Sequence, residues 1–76
     1  MPKLPVVKAL KLIKVLKKKN FMLQRVHGSH HIFVRIEDKL IVSVPIHQGR
    51  DLGRGITMAI LKDARIPPDE FIKLLK

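Results

Sequence analysis

HHIFVRIEDKLIVSV, residues 30–44, is the stretch that decides the fold. Two segments rich in β-branched residues, His30–Ile36 and Leu40–Val44, flank the polar tripeptide Glu37-Asp38-Lys39. This pattern predicts an antiparallel β-hairpin with a tight turn. Pro45 is expected to end the second strand, because proline cannot donate a hydrogen bond to a neighbouring strand.

The segment before the hairpin predicts a helix and one more strand. Apolar residues recur at helical spacing over Val6–Lys18, with lysines on the opposite side. The predicted buried face consists of Val6, Ala9, Leu10, Leu12, Ile13 and Leu16, with Val7 and Val15 as apolar residues outside it. Asn20 can end the helix, and Phe21–Val26 predicts a strand followed by a turn over His27–Ser29.

The segment after the hairpin predicts a loop over residues 46–53 and then helices. The second helix is expected to start at Arg54 or Gly55, and the last to run over Pro68–Leu75, because proline fits a first helical turn. The second helix is expected to bury Ile56, Ala59, Ile60 and Ala64, flanked by Leu61. The whole chain, residues 1–76, is thus predicted to be one small α+β domain. Its order is α-β-β-β-α(α), in two layers, with a three-stranded antiparallel sheet.

The composition restricts the partners that the chain can have. Sixteen lysine and arginine residues against six aspartate and glutamate residues give a formal net charge of +10. This excess favours a polyanionic partner, which can be a nucleic acid, an anionic membrane surface or an acidic protein. Lysines interrupt the apolar residues of the first helix, so we expect neither a signal peptide nor a membrane-spanning segment. No cysteine is present, and the expected location is the cytoplasm.

Two adjacent histidines open the hairpin. His30 and His31 follow the small residues Gly28 and Ser29, and they point to opposite faces of a regular strand. Histidine is the side chain best suited to exchange protons near neutral pH, so the pair is the expected site of any chemistry. The residues alone do not distinguish the two imidazoles. A zinc site built from the four histidines is a weaker alternative, because the chain has no cysteine and the carboxylates of the hairpin turn are expected at its far end. These histidines are His27, His30, His31 and His47.

Several short motifs, taken in order, resemble the HicA toxins of bacterial and archaeal toxin-antitoxin systems. They are Gly28-Ser29-His30 with Phe33, Val44-Pro45 with His47, Leu52 and Gly55, Ile60-Leu61-Lys62-Asp63-Ala64, and Glu70-Phe71. The resemblance extends over nearly the whole chain. Ile56 and Arg65 depart from the threonine and the glycine that family members often have there, which affects the capping of the second helix.

The resemblance implies a fold like a double-stranded-RNA-binding domain and an activity as an mRNA interferase, a ribonuclease that blocks translation. It implies that His30, in the glycine-small-histidine motif, is catalytic. It also implies a HicB-like antitoxin as the protein partner, with neither a metal nor another cofactor.

Metal-free RNA cleavage requires a base near the 2'-hydroxyl, an acid at the leaving oxygen and positive charge beside the phosphate. We expect His30 to act as the general base or acid, with His31 and His47 as secondary candidates. The expected RNA-binding residues are Lys19, Arg25, Ser29, Arg35, Arg50 and Arg54. Two alternatives are a non-catalytic RNA-binding module of the same fold and a membrane-surface protein that uses the lysine face of the first helix.

Overall fold

The computed structural model describes residues 4–47 and 50–75. Its elements, in chain order, are β1 (Val7–Lys8), α1 (Ala9–Lys18), β2 (Met22–His27), β3 (His30–Arg35), β4 (Leu40–Pro45), β5 (Asp51–Leu52), α2 (Arg54–Ala64) and α3 (Pro68–Leu74).

The main sheet is antiparallel and has the strand order β2-β3-β4. Phe33 pairs with Val42, and both side chains are buried on the face that the helices cover. Both α1 and α2 pack on β4, and α3 packs against both helices. The predicted α+β class, with a three-stranded antiparallel sheet in a small two-layer domain, is confirmed. One face of the sheet therefore supports the core, and the other, here called the open face, carries none of the helices of residues 4–47 and 50–75.

The first helix begins later than predicted. Val7 and Lys8 form β1, which pairs antiparallel with β5, so that Val7 faces Leu52 and Lys8 faces Asp51. The predicted start at Val6 is therefore wrong, and so is the prediction of a loop at positions 51 and 52. Positions 48 and 49 of that predicted loop lie outside the described residues.

The buried face of α1 differs from the predicted one at two positions. Ala9, Leu12, Ile13 and Leu16 are buried as predicted, whereas Leu10 is 67% exposed and Val15 is 1% exposed. Val6, which precedes β1, is also exposed. The helix packs against both β4 and α3. Because α1 contacts two elements, its buried surface is wider than the single apolar stripe that helical spacing predicts, and it includes Val15.

The buried face of α2 is also rotated relative to the prediction. Ile60 and Ala64 are buried as predicted, but Thr57 is buried as well, while Ile56 and Ala59 are exposed. The helix has no side-chain cap at its first turn. It ends at Arg65, whose φ of 58° is left-handed, at the position where the family pattern has glycine.

The last helix ends one residue before its predicted end. It buries Phe71 completely, and Leu74 and Leu75 are partly buried against the core. None of the helices in the described part of the chain has both the length and the apolar character needed to cross a membrane.

Candidate active site

The turn between β2 and β3 consists of only two residues, Gly28 and Ser29. Gly28 has a φ of +61°, a conformation that glycine adopts without strain, and a glycine in the first central position is typical of type II′ hairpin turns. The predicted turn over His27–Ser29 is therefore one residue too long, because His27 belongs to β2. The backbone N–H of Ile46 donates a hydrogen bond of 2.7 Å to the Ser29 carbonyl, which joins the turn to the end of β4.

The turn places two imidazoles beside each other on the open face of the sheet. His27 pairs with His30 across β2 and β3, and His30 in turn pairs with Pro45 of β4. Directly paired residues lie on the same face, with Cβ atoms about 4.5–5.5 Å apart. Both His27 and His30 are exposed. The pairing of His27 with His30 was not predicted, although a two-residue turn that begins with glycine is a sequence signal for such a pairing.

His31 occupies the opposite face of β3. It pairs with Val26 of β2 and with Val44 of β4, on the side that carries the buried Phe33. The side chain is partly buried, and its Nδ1 is buried with no hydrogen-bond partner among the described residues. That nitrogen is shielded from solvent, so His31 is less accessible to a substrate than His30.

His47 lies at the same end of the sheet as His30. It is exposed and follows Pro45 by two residues. Its carbonyl accepts a hydrogen bond of 3.0 Å from the backbone N–H of Arg50, which is also exposed. This hydrogen bond holds the backbone of Arg50 beside that of His47, close to the end of β4.

Arg25 is the cation that shares the open face with the histidine pair. It pairs with Ile32, and Ile32 lies on the same face of β3 as His30 because the two are separated by two positions. Arg25 is exposed and lies two residues before His27, about 7 Å along the strand. Arg54, at the start of α2, instead donates a hydrogen bond of 2.7 Å from Nε to the Leu4 carbonyl.

Lys19 and Arg35 lie at the other end of the sheet. Arg35 is five residues from His30 along β3, a separation of about 17 Å. Its Nη1 donates to the Lys19 carbonyl at 3.1 Å. Lys19 Nζ contacts a Glu70 carboxylate oxygen at 2.6 Å. These cations are held by contacts within the chain, away from the histidine pair.

The Arg35 side chain is fixed by two further contacts. It donates from Nε and Nη2 to the two carboxylate oxygens of Asp38, at 3.0 and 2.8 Å. These hydrogen bonds raise the pKa of Arg35 and lower the pKa of Asp38. The guanidinium carbon also lies 4.7 Å from the centroid of the Phe21 ring, within the range of a cation–π contact. These contacts within the chain account for the position of the Arg35 side chain without a role in RNA binding.

The four histidines do not assemble into a metal site. Within residues 4–47 and 50–75, no three histidine, cysteine, aspartate or glutamate side chains are grouped so that they could hold a metal ion. This is understandable from the sheet, because His31 projects from the face opposite to His27 and His30.

The fold and the site together define a small, strongly basic α+β domain with exposed histidines at one end of its sheet. The family described as "HicA toxin of bacterial toxin-antitoxin" matches residues 9–66, which include the whole of α1, the main sheet and α2. The chain therefore belongs to the HicA toxin family, and it is a toxin of a toxin-antitoxin system. A search of curated proteins found no match.

Proposed function

We propose that this toxin is an endoribonuclease that cleaves mRNA without a metal ion and that His30 is its catalytic residue. The observation that carries the proposal is the exposed pair of His27 and His30 on the open face, beside Arg25. Two imidazoles on one face can supply both a base and an acid. The membership of the HicA family supports the toxin role.

The proposed reaction uses the 2'-hydroxyl of RNA as the nucleophile. One imidazole removes the proton from that hydroxyl, and its oxygen attacks the adjacent phosphorus. The bond to the 5'-oxygen breaks, and the other imidazole donates a proton to the departing oxygen. The products are a 2',3'-cyclic phosphate and a free 5'-hydroxyl. His30 takes one of these two roles, and His27, which faces it, takes the other.

Positive charge near the histidines stabilises the phosphate in this proposal. Arg25 is an exposed cation on the open face, and Ser29 and Arg50 lie at the same end of the sheet as the histidine pair. Cationic side chains position the RNA through its phosphates and stabilise charge that develops on the phosphoryl oxygens. The other three predicted RNA-binding cations already have side-chain partners within the chain; they are Lys19, Arg35 and Arg54. Their contact with RNA remains a prediction.

We also propose a HicB-like antitoxin as the protein that binds and blocks this toxin, and the cytoplasm as the location where it meets mRNA. His31 and His47 remain secondary candidates for proton transfer. His47 is at the same end of the sheet as His30, whereas His31 projects from the other face.

The test is cleavage of a defined single-stranded RNA in EDTA by the intact protein, His30→Ala and His31→Ala. RNA affinity and thermal unfolding of each variant are measured in parallel. We expect only His30→Ala to lose cleavage while it keeps RNA affinity and fold. If all three proteins bind RNA and none cleaves it, the chain is a non-catalytic RNA-binding module.

A further inference from the structure

The edge strand β2 exposes apolar side chains on both of its faces. Met22 pairs with Val34 on the open face, whereas Leu23 and Val26 pair with residues on the helix side. The three β2 side chains are 58%, 49% and 53% exposed, respectively. The helices pack mainly on β4, and the helix-side residues Leu23 and Val26 of β2 stay about half exposed.

Both the backbone and the side chains of β2 are suited to a further strand. In the described part of the chain β2 pairs with β3 alone, so its outer edge offers unpaired backbone groups. A surface docked on one face of the sheet covers only one set of exposed side chains. A strand added along the edge covers both sets, because its own side chains alternate between the two faces.

The other edge of the sheet is less suitable. β4 contains Pro45, which has no N–H to donate, and its side chains Val42 and Val44 are buried. Proline on an edge strand is a common protection against pairing with another chain. β2 contains no proline.

We propose that β2 is a docking edge for an extended segment of an acidic protein, which adds a fourth strand to the sheet. The charge of the chain selects this occupant, because a net charge of +10 attracts an acidic segment and repels a second copy of the chain. A toxin-antitoxin system supplies a protein partner.

The added strand also lies near the histidine pair. It runs about 4.8 Å from β2 and about 10 Å from β3, so its side chains reach His27 and approach His30. Occupation of the edge therefore restricts access to the open face. This consequence for activity depends on the proposed ribonuclease function, whereas the docking itself does not.

The experiment uses the full chain, labelled with ¹⁵N, and a synthetic nine-residue peptide of alternating valine and glutamate. We expect chemical-shift changes in β2 and amide exchange there that is about ten-fold slower when the peptide is bound. A second peptide has the same side chains but an N-methyl group on every backbone amide, so neither of its edges can pair with β2. We expect this peptide not to bind.

Two double variants test the contribution of the side chains without a change in charge. Leu23→Ser/Val26→Ser removes two exposed apolar residues of β2, and Ile56→Ser/Met58→Ser removes two of similar exposure on α2. We expect the first to weaken peptide binding by about ten-fold and the second to leave it unchanged.

Three results would overturn the proposal, and none depends on ribonuclease activity. One is equal binding of both peptides, which indicates attraction by charge alone. Another is an absence of any change in β2 with the peptide at millimolar concentration. The third is a dimer of the chain alone, held through β2, which would make a second copy the occupant.

Discussion

His27 and His30 face each other across a two-residue turn and project from the same open face of the sheet. In this arrangement one imidazole can act as the base and the other as the acid at the same phosphate. His31 lies on the opposite face of the sheet. We therefore expect His27→Ala to slow RNA cleavage more than His31→Ala does.

Arg25 is expected to contact a phosphate of bound RNA. If about four phosphates are neutralised, the slope of log affinity against log salt is near −3 on single strands. We expect Arg25→Ala to make this slope less steep by about 0.7, with weaker binding to all sequences. Lys62→Ala, which removes an exposed cation of α2, serves as the control. Equal slopes for the intact protein and Arg25→Ala would exclude this contact.

Arg65 ends α2 in a left-handed conformation that suits glycine better than arginine. We expect Arg65→Gly to raise the free energy of unfolding by about 0.5–1 kcal/mol, because it removes the steric cost of the Cβ atom. Urea denaturation measures the change. Lys62→Gly, inside the same helix, is the matched control and is expected to lower stability by about 1 kcal/mol. A loss of stability in both variants would contradict the assignment of Arg65 as a strained cap.

Thr57 is completely buried, and its hydroxyl has no hydrogen-bond partner among the described residues. A buried hydroxyl without a partner costs about 1–3 kcal/mol. We expect Thr57→Val to raise the free energy of unfolding by about 1 kcal/mol, since it keeps the shape and removes the hydroxyl. Thr57→Ser keeps the hydroxyl and removes a methyl group, and is expected to lower it by about 1 kcal/mol. If valine destabilises the protein as serine does, the hydroxyl has a partner.

Asp38 links stability to pH through its hydrogen bonds with Arg35. These bonds lower the pKa of Asp38 below its ordinary value of 3.8. The folded-state pKa therefore lies below the unfolded one, so the bonds stabilise the fold above about pH 4. This contribution is lost as pH falls through the lowered pKa. We expect Asp38→Asn to unfold at a lower temperature than the intact protein at about pH 6, and this difference to shrink as pH falls below about 4. A difference that stays constant with pH would contradict this linkage.

Much of the main sheet could be predicted from the sequence because its signals are local. The β3–β4 hairpin depends on two alternating segments and a polar turn, and the predicted Leu40–Val44 strand differs from β4 by one residue. The β1–β5 pair could not be predicted in this way. Val7 and Leu52 are far apart in sequence, and each belongs to a strand of only two residues.

The exposure of the candidate residue His30 could be predicted from the sequence, but the residues around it could not. The exposure of His30 follows from a regular strand after a small turn. Its neighbour His27 was missed because the turn is one residue shorter than predicted. Lys19 forms an ion pair with Glu70, and the Arg35 guanidinium lies over the Phe21 ring. Sequence spacing does not show these tertiary contacts, so the structural roles of the two cations could not be predicted.

The most direct test of the central claim is end-group analysis of a defined RNA cleaved in EDTA, with a 2'-O-methyl RNA of the same sequence as the matched substrate. The intact protein is expected to leave 2',3'-cyclic phosphate ends on the RNA and to bind the methylated strand without cutting it. His30→Ala is expected to bind both and cut neither. Cleavage of the methylated strand, or undiminished cleavage by folded His30→Ala, would contradict metal-free catalysis by His30 through the 2'-hydroxyl.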